Sequence, residues 1–209
     1  MLRFRALALA AAPLAAAAFV APAPVAAQTN GLSQVQQHLR TVTTMTANFS
    51  QTDRRGRVQN GTLTMKRPGR IRFDYGRNAD LLIVGDGNAL TMIDYEVNQV
   101  SRWPINDSPL SVLLNPNQDL SRFSRVTRND NQVLMIEARD PRRREFGTIT
   151  IAFAKVPSAP AGLMLQSWTA LDAQNNRTTI RLSNQRFNVA VADSAFRYTD
   201  PRRRRGPRG

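Results

Sequence analysis

The sequence predicts a mainly β protein, one large antiparallel sheet carrying few helices. Apolar and polar residues alternate with a period of two through most of the chain beyond residue 43. Clusters of Gly, Asn, Asp and Pro separate the alternating runs at hairpin spacing. Only two short stretches carry apolar residues at helical spacing. Such alternation makes one face of the sheet apolar and leaves the other wet. Two short helices cannot cover a wide apolar face completely, and the remainder is available to a ligand.

The chain opens on an export signal. Met1 to Arg5 carries two arginines, and an Ala/Leu-rich run follows from Ala6 to Val20. "PVAAQ" places small residues at Val25 and Ala27, which suits cleavage after Ala27 and assigns residues 1–27 to a signal peptide. The Pro-interrupted run is too short to span a bilayer as a helix. Residues 28–201 then form a single domain, and the Arg-rich residues 202–209, which lack apolar side chains, are expected to be disordered. There is no cysteine, so neither a disulfide framework nor an acylated cysteine is available.

Leu32, Val35, Leu39 and Val42 recur at i, i+3, i+7 and i+10 and predict an amphipathic helix, with the single histidine, His38, at the edge of the stripe and partly exposed. Met45, Ala47, Phe49 and Gln51 then line one face of a strand. In "GTLTMKRPGRIRFDYG" (61–76), Leu63 and Met65 share a face, as do Ile71, Phe73 and Tyr75 on the returning strand. A loop of odd length makes these apolar faces coincide. Pro68-Gly69-Arg70 as the loop pairs 67 with 71, 65 with 73 and 63 with 75, which leaves Arg67 on the apolar side. Strands follow at 80–85, 89–94 and 97–103, the first two joined by a "GDGN" turn. "SPLSVLLNP" (108–116) interrupts them as a short helix with Ser108 at the N-cap, Pro109 at N1 and a stripe of Leu110, Leu113 and Leu114. Strands resume at 131–138, 147–155, 162–172 and 177–184, and 193–201 closes the domain as one turn and an edge strand.

The net charge of +14 does not by itself indicate nucleic acid. All but two of the 29 basic residues are arginine, the mark of composition bias, and export removes the chain from the chromosome. Arg142 to Arg144 and the Arg202–Arg205 tail could dwell near anionic lipid, although a solvated basic surface is the simpler reading. Catalytic and metal-binding patterns are missing: no HExxH, no zinc spacing and no dinucleotide fingerprint. Asp94 and Glu96 flank Tyr95 at a hairpin end. The sequence therefore predicts neither an enzyme nor a cofactor.

Several segments in order resemble the periplasmic lipoprotein carriers of the LolA family. "ANFSQ" (47–51) is similar to the family's Phe-x-Gln strand, and 61–75 to its Gly-x-Leu-x-x-x-Arg-Pro-x-x-x-Arg-x-x-Tyr hairpin. "LLIVGDGNALTMIDYEVNQV" (81–100), "SPLSVLL", "LDAQNNRTTIRLSNQRFN" and "AFRYTDP" continue the series. The chain departs from it at Ile71 and Phe73, where the family often has an aromatic residue and a tryptophan, and in ending on "RRRRGPRG". The resemblance implies an incomplete, unclosed β-barrel with short helices as a lid over an apolar cavity. It implies a monomeric carrier without cofactor that takes acylated lipoproteins from an inner-membrane ABC transporter to an outer-membrane receptor or the outer membrane itself. A carrier of free lipid or glycolipid, or a sensor of acylated ligands, is the alternative. On this reading Leu63, Met65, Ile71, Phe73, Tyr75, Leu82 and Leu165 line the cavity, and Leu32, Val35, Leu39, Leu110, Leu113 and Leu114 form the lid. The family's hairpin arginine falls on Arg67, which the resemblance makes a latch holding the lid. A charge on an apolar face needs such partners; the other reading is a strand-end arginine that snorkels to water.

Overall fold

A computed structural model describes residues 25–76, 79–108, 110–139, 147–172 and 174–204. Helix α1 (Val25–Thr41) precedes six strands: β1 (Thr44–Thr52), β2 (Val58–Lys66), β3 (Arg70–Asp74), β4 (Leu81–Asp86), β5 (Ala89–Asp94) and β6 (Gln99–Pro104). After α2 (Ser111–Leu114) come β7 (Ser124–Asn129), β8 (Val133–Ala138), β9 (Thr148–Lys155), β10 (Leu163–Leu171) and β11 (Arg177–Phe187). All lie in one antiparallel sheet of 11 strands, ordered β6-β5-β4-β3-β2-β1-β11-β10-β9-β8-β7. The expected mainly β, unclosed architecture is what the chain adopts. Its two edges, β6 and β7, are consecutive in sequence, and the segment between them carries α2 instead of a pairing turn.

Bulges, which bend a strand and increase its twist, interrupt the sheet. Register shifts occur between Thr46 and Asn48 against β11, between Leu165 and Ser167 against β9, and between Val126 and Arg128 against β8. Alternation then points Met45, Ala47, Phe49, Leu63, Met65, Ile71 and Phe73 to the concave face, where they form the main core with Val35 and Leu39 of α1 and Val112, Leu113 and Leu114 of α2. Gly61 faces Phe49 across the β1–β2 pair. A Cβ there would lie 2.7 Å from the Phe49 ring and 2.3 Å from the Asp74 carbonyl oxygen, so only glycine admits the ring.

Several expectations shift. The β2–β3 loop has odd length, as the matching faces require, but it is Arg67-Pro68-Gly69: Lys66 pairs Arg70, Met65 pairs Ile71 and Leu63 pairs Phe73. A two-residue displacement preserves every face and moves Arg67 out of the strand into the turn. His38 is buried, 1% exposed, rather than at the helix margin, because the rings of Phe153 and Phe187 and the Pro160 carbonyl enclose it. The second helix is a single turn starting at Ser111; Ser108 still accepts from the Leu110 N–H at 3.2 Å, and Pro109 lies outside the described residues. Strand β7 was not legible, since its exposed, Arg-bearing edge has little alternation.

The C-terminal segment is a strap rather than an edge strand. After a 3₁₀ turn at Asp193–Phe196, its carbonyls at Arg197 and Thr199 are held by the side chains of Arg72 and Tyr95. Pro201–Arg204 form another 3₁₀ turn, with Arg202 paired to Asp200, where disorder was expected. The predicted basic loop at Arg142–Arg144, Arg205 and most of the signal segment lie outside the described residues.

Candidate functional site

The candidate site is the concave face and the two helices that close it. Leu63, Met65, Ile71, Phe73, Tyr75 and Leu165 are all buried there in one cluster. Phe49 stacks edge-on against Phe73 and Tyr75, with ring centroids 5.4 and 5.0 Å apart, and Phe73 meets Trp168 edge-on at 6.1 Å. Tyr75 brings a hydroxyl into this apolar wall. It donates to Gln51 Oε1 at 2.8 Å, and burial pushes the phenol up to about 12. Gln51 continues the inward face of β1, so a polar residue at that register position was the available signal for a buried partner.

Leu82 belongs elsewhere. It pairs with Asp74 and Ile93, and its side chain packs with Val84, Ile93 and Phe196 in a second cluster beneath the C-terminal strap. Its neighbours Leu81 and Ile83 are the ones packed against the main core. The expectation that Leu82 lines the interior is off by one residue in a strand that is apolar on both faces, where alternation cannot tell the faces apart.

Of the residues expected to form a lid, Val35, Leu39, Leu113 and Leu114 are fully covered, whereas Leu32 and Leu110 are partly buried at the margin of the core. Leu32 lines a groove of about 420 Å³ between α1 and the turn at Asp119–Ser121. The apolar side chains of both helices occupy the concave face, packed in the main core with those of the sheet.

Arg67, the expected latch, bonds to backbone carbonyls at both helices. Its Nε donates to the Leu113 carbonyl oxygen at 3.1 Å, and its Nη1 donates to the Val42 carbonyl oxygen. The first acceptor is at the C-terminal end of α2 and the second directly follows α1, where helix carbonyls lack intrahelical donors. The backbone of the same turn adds bonds from the Arg67 N–H to the Thr43 carbonyl at 2.8 Å and from the Gly69 N–H to the Leu114 carbonyl at 3.1 Å. Burial lowers the guanidinium to about 10, still charged at neutral pH. Gly69, at φ +71°, has no room for a Cβ, which would meet Gly87 Cα at 2.7 Å, so the Arg67-Pro68-Gly69 turn packs directly on the "GDGN" turn.

His38 stabilises the same helix from behind. Its Nδ1 lies 2.9 Å from the Pro160 carbonyl oxygen, and burial, reinforced by the Arg67 charge, lowers its pKa to about 4. It is neutral at pH 7, a packing and hydrogen-bonding residue.

A family model described as outer membrane lipoprotein carrier protein LolA matches residues 40–199, which span the sheet, α2 and the Arg67 turn. The chain belongs to the LolA family. Among the relatives it matches is an outer-membrane lipoprotein carrier protein from Methylobacillus flagellatus, 29% identical over 187 residues, or 85% of this chain and 89% of the relative. Another of that name, from Chromobacterium violaceum, is 29% identical over 199 residues, or 90% and 93% of the two chains. Among solved structures, an uncharacterized conserved protein from Thermus thermophilus aligns at TM-score 0.49 and 12% identity, covering 82% of this chain and 93% of the other. A LolA superfamily protein from Nitrosomonas europaea aligns at TM-score 0.43 and 9% identity, covering 82% and 97%.

Proposed function

We propose that this protein is a periplasmic carrier that shields the acyl chains of lipoproteins, receiving them from an inner-membrane ABC transporter and delivering them to the outer membrane or a receptor there. Residues 1–27 serve as its cleaved export signal and residues 28–201 as the carrier domain. The observation that carries the reading is a concave apolar face closed by two helices whose ends are both bonded to Arg67.

The energetics favour such a closure. Burying acyl chains stabilises a complex by about 0.8 kcal/mol per CH₂, so twenty methylenes give about 16 kcal/mol, too tight for release. A carrier whose empty form is itself closed loses much of that to lid packing and latch hydrogen bonds, and release becomes possible. The site's residues bind and exclude water; no chemical step is needed.

The test is release of lipoproteins from spheroplasts by the purified protein, with mass spectrometry of what it carries. Diacylglyceryl-modified proteins support the reading. Free phospholipid or glycolipid alone would replace it with a lipid carrier on the same fold.

A further inference from the structure

The outer face of the sheet carries a polar groove of about 490 Å³ at the end of β1 remote from the Arg67 turn. Strand register builds it from the side chains that alternate with the core. Thr52 pairs with Thr179, Thr179 with Thr169, and Arg181 with Ser167. The intervening Ile180, Leu182 and Trp168 are buried on the concave face, so these hydroxyls and Arg181 point outward. The β1–β2 turn adds Arg54 and the start of β11 adds Arg177; all three arginines are exposed.

The charge of this groove is uncommitted. Arg72, Arg102, Arg125 and Arg128 elsewhere on the surface are each paired to a carboxylate. Arg177 and Arg181 have no ion-pair partner among the described residues, and Arg54 donates to the neutral Asn176 side chain at 2.7 Å. The nearby acids face their own turns. Asp53 accepts from Arg57 Nε and two backbone N–H groups, and Asp172 from the Asn176 side chain and two backbone N–H groups. Two of the four large apolar side chains exposed among the described residues flank the groove on the same face: Val58, beside Thr52, and Leu171, beside Arg177.

Going beyond the carrier reading, we propose that this groove docks the protein on a bilayer through the phosphate of an anionic phospholipid headgroup. Guanidinium forks match phosphate oxygens, and the serine and threonine hydroxyls are further donors. The apolar flanks select a lipid surface over an acidic polypeptide, because Val58 and Leu171 enter the interfacial layer beside the bound headgroup. Arg55, exposed in the same turn as Arg54, adds to the attraction.

The test is sedimentation of the protein, purified in its exported form, with vesicles of phosphatidylcholine alone and of phosphatidylcholine mixed with phosphatidylglycerol. Wild type should bind the mixed vesicles, and binding should weaken as salt rises, because exposed charges are screened. Arg177→Gln with Arg181→Gln should weaken it roughly thirtyfold, the combined attraction of two arginines near an anionic surface. Val58→Ser with Leu171→Ser should weaken it several-fold and leave the salt dependence unchanged. Both double variants alter exposed side chains only, so their melting temperatures should match wild type. Uptake of a fluorescent fatty acid, which reads the concave face, should also be unchanged; its failure in wild type would count against the carrier reading and not against this site. Equal binding to both kinds of vesicle, or mixed-vesicle binding that the arginine variant keeps, overturns the inference. Arginine-dependent binding of polyglutamate without binding to vesicles also overturns it, and makes the groove a site for an acidic protein.

Discussion

Arg67 Nε donates to the Leu113 carbonyl oxygen at 3.1 Å, although the two residues are 46 positions apart and belong to a turn and to helix α2. Together with the bond from Nη1 to the Val42 carbonyl, it makes one side chain the common anchor of both closing elements. The guanidinium is well placed because each acceptor is a helix-end carbonyl that α1 or α2 cannot satisfy internally.

Arg67→Leu removes both side-chain bonds and leaves the two made by the turn backbone. Hydrogen bonds to charged groups contribute about 1.5–3 kcal/mol each. A net loss of about 2 kcal/mol from the closed empty form tightens apparent affinity for an acylated ligand roughly thirtyfold. The variant should load as well as the parent or better and deliver more slowly. Transfer of bound lipoprotein from purified protein to outer-membrane vesicles measures this, and normal delivery or poor loading would reduce Arg67 to a structural turn residue.

Leu114 makes the packing half of the same argument. It is 0% exposed, and its side chain belongs to the core formed with the concave face. Leu114→Ala costs about 2–5 kcal/mol of closed-state packing, and the loss falls on the closed form alone if α2 leaves the sheet to admit a ligand. A fluorescent fatty acid should then bind more tightly to the variant while the sheet remains folded by circular dichroism. Weaker binding would show that α2 contributes to the ligand site and is not a cover over it.

The hairpin shows what the sequence made legible and where it stopped. Period-two alternation determined which residues of β2 and β3 face inward, because any register that mismatched them would bury Arg70 and Arg72. It could not determine the register itself: displacements of two residues keep the faces, so the turn was misplaced from 67–69 to 68–70. Leu82 failed for a related reason, since Leu81, Leu82, Ile83 and Val84 are apolar on both sides of β4 and only the strap from Ala195 to Phe196 reveals why. His38 was misjudged because a helical stripe is read from one helix alone. Phe153, Phe187 and Pro160, which bury it, arrive from more than a hundred residues away. Arg67 was identifiable as a charge requiring partners, but its acceptors are backbone carbonyls, which carry no signature in a sequence.

His38 predicts an acid limit on stability. It is the chain's one histidine, and its pKa falls from the usual 6.5 to about 4 because burial disfavours the charged ring. The unfolded chain therefore binds the proton more readily between these values, so stability is intact above pH 6.5 and is lost progressively as pH falls towards 4. The full span corresponds to about 3 kcal/mol. Denaturant titrations of wild type and His38→Gln from pH 7 to 4 should converge as the pH drops, the wild type losing more. Parallel pH profiles would show that the ring is not held neutral by its surroundings.

Leu82 and Phe196 give the last prediction, which separates the outer cluster from the inner site. Both side chains are buried, 5% and 7% exposed, in a cluster with Val84 and Ile93 under the C-terminal strap, on the face opposite Phe73 and Ile83. Leu82→Ala should cost about 2–5 kcal/mol and Phe196→Ala about 3–5 kcal/mol, since each leaves a cavity in the same small cluster. Residues that share a cavity couple, so the double variant should lose less than the sum of the single losses. Affinity for an acyl probe should stay unchanged in all three proteins, because the concave face keeps its side chains. A Leu82→Ala protein that melts normally but loses acyl binding would return Leu82 to the interior and invalidate the division of β4 into an inner and an outer face.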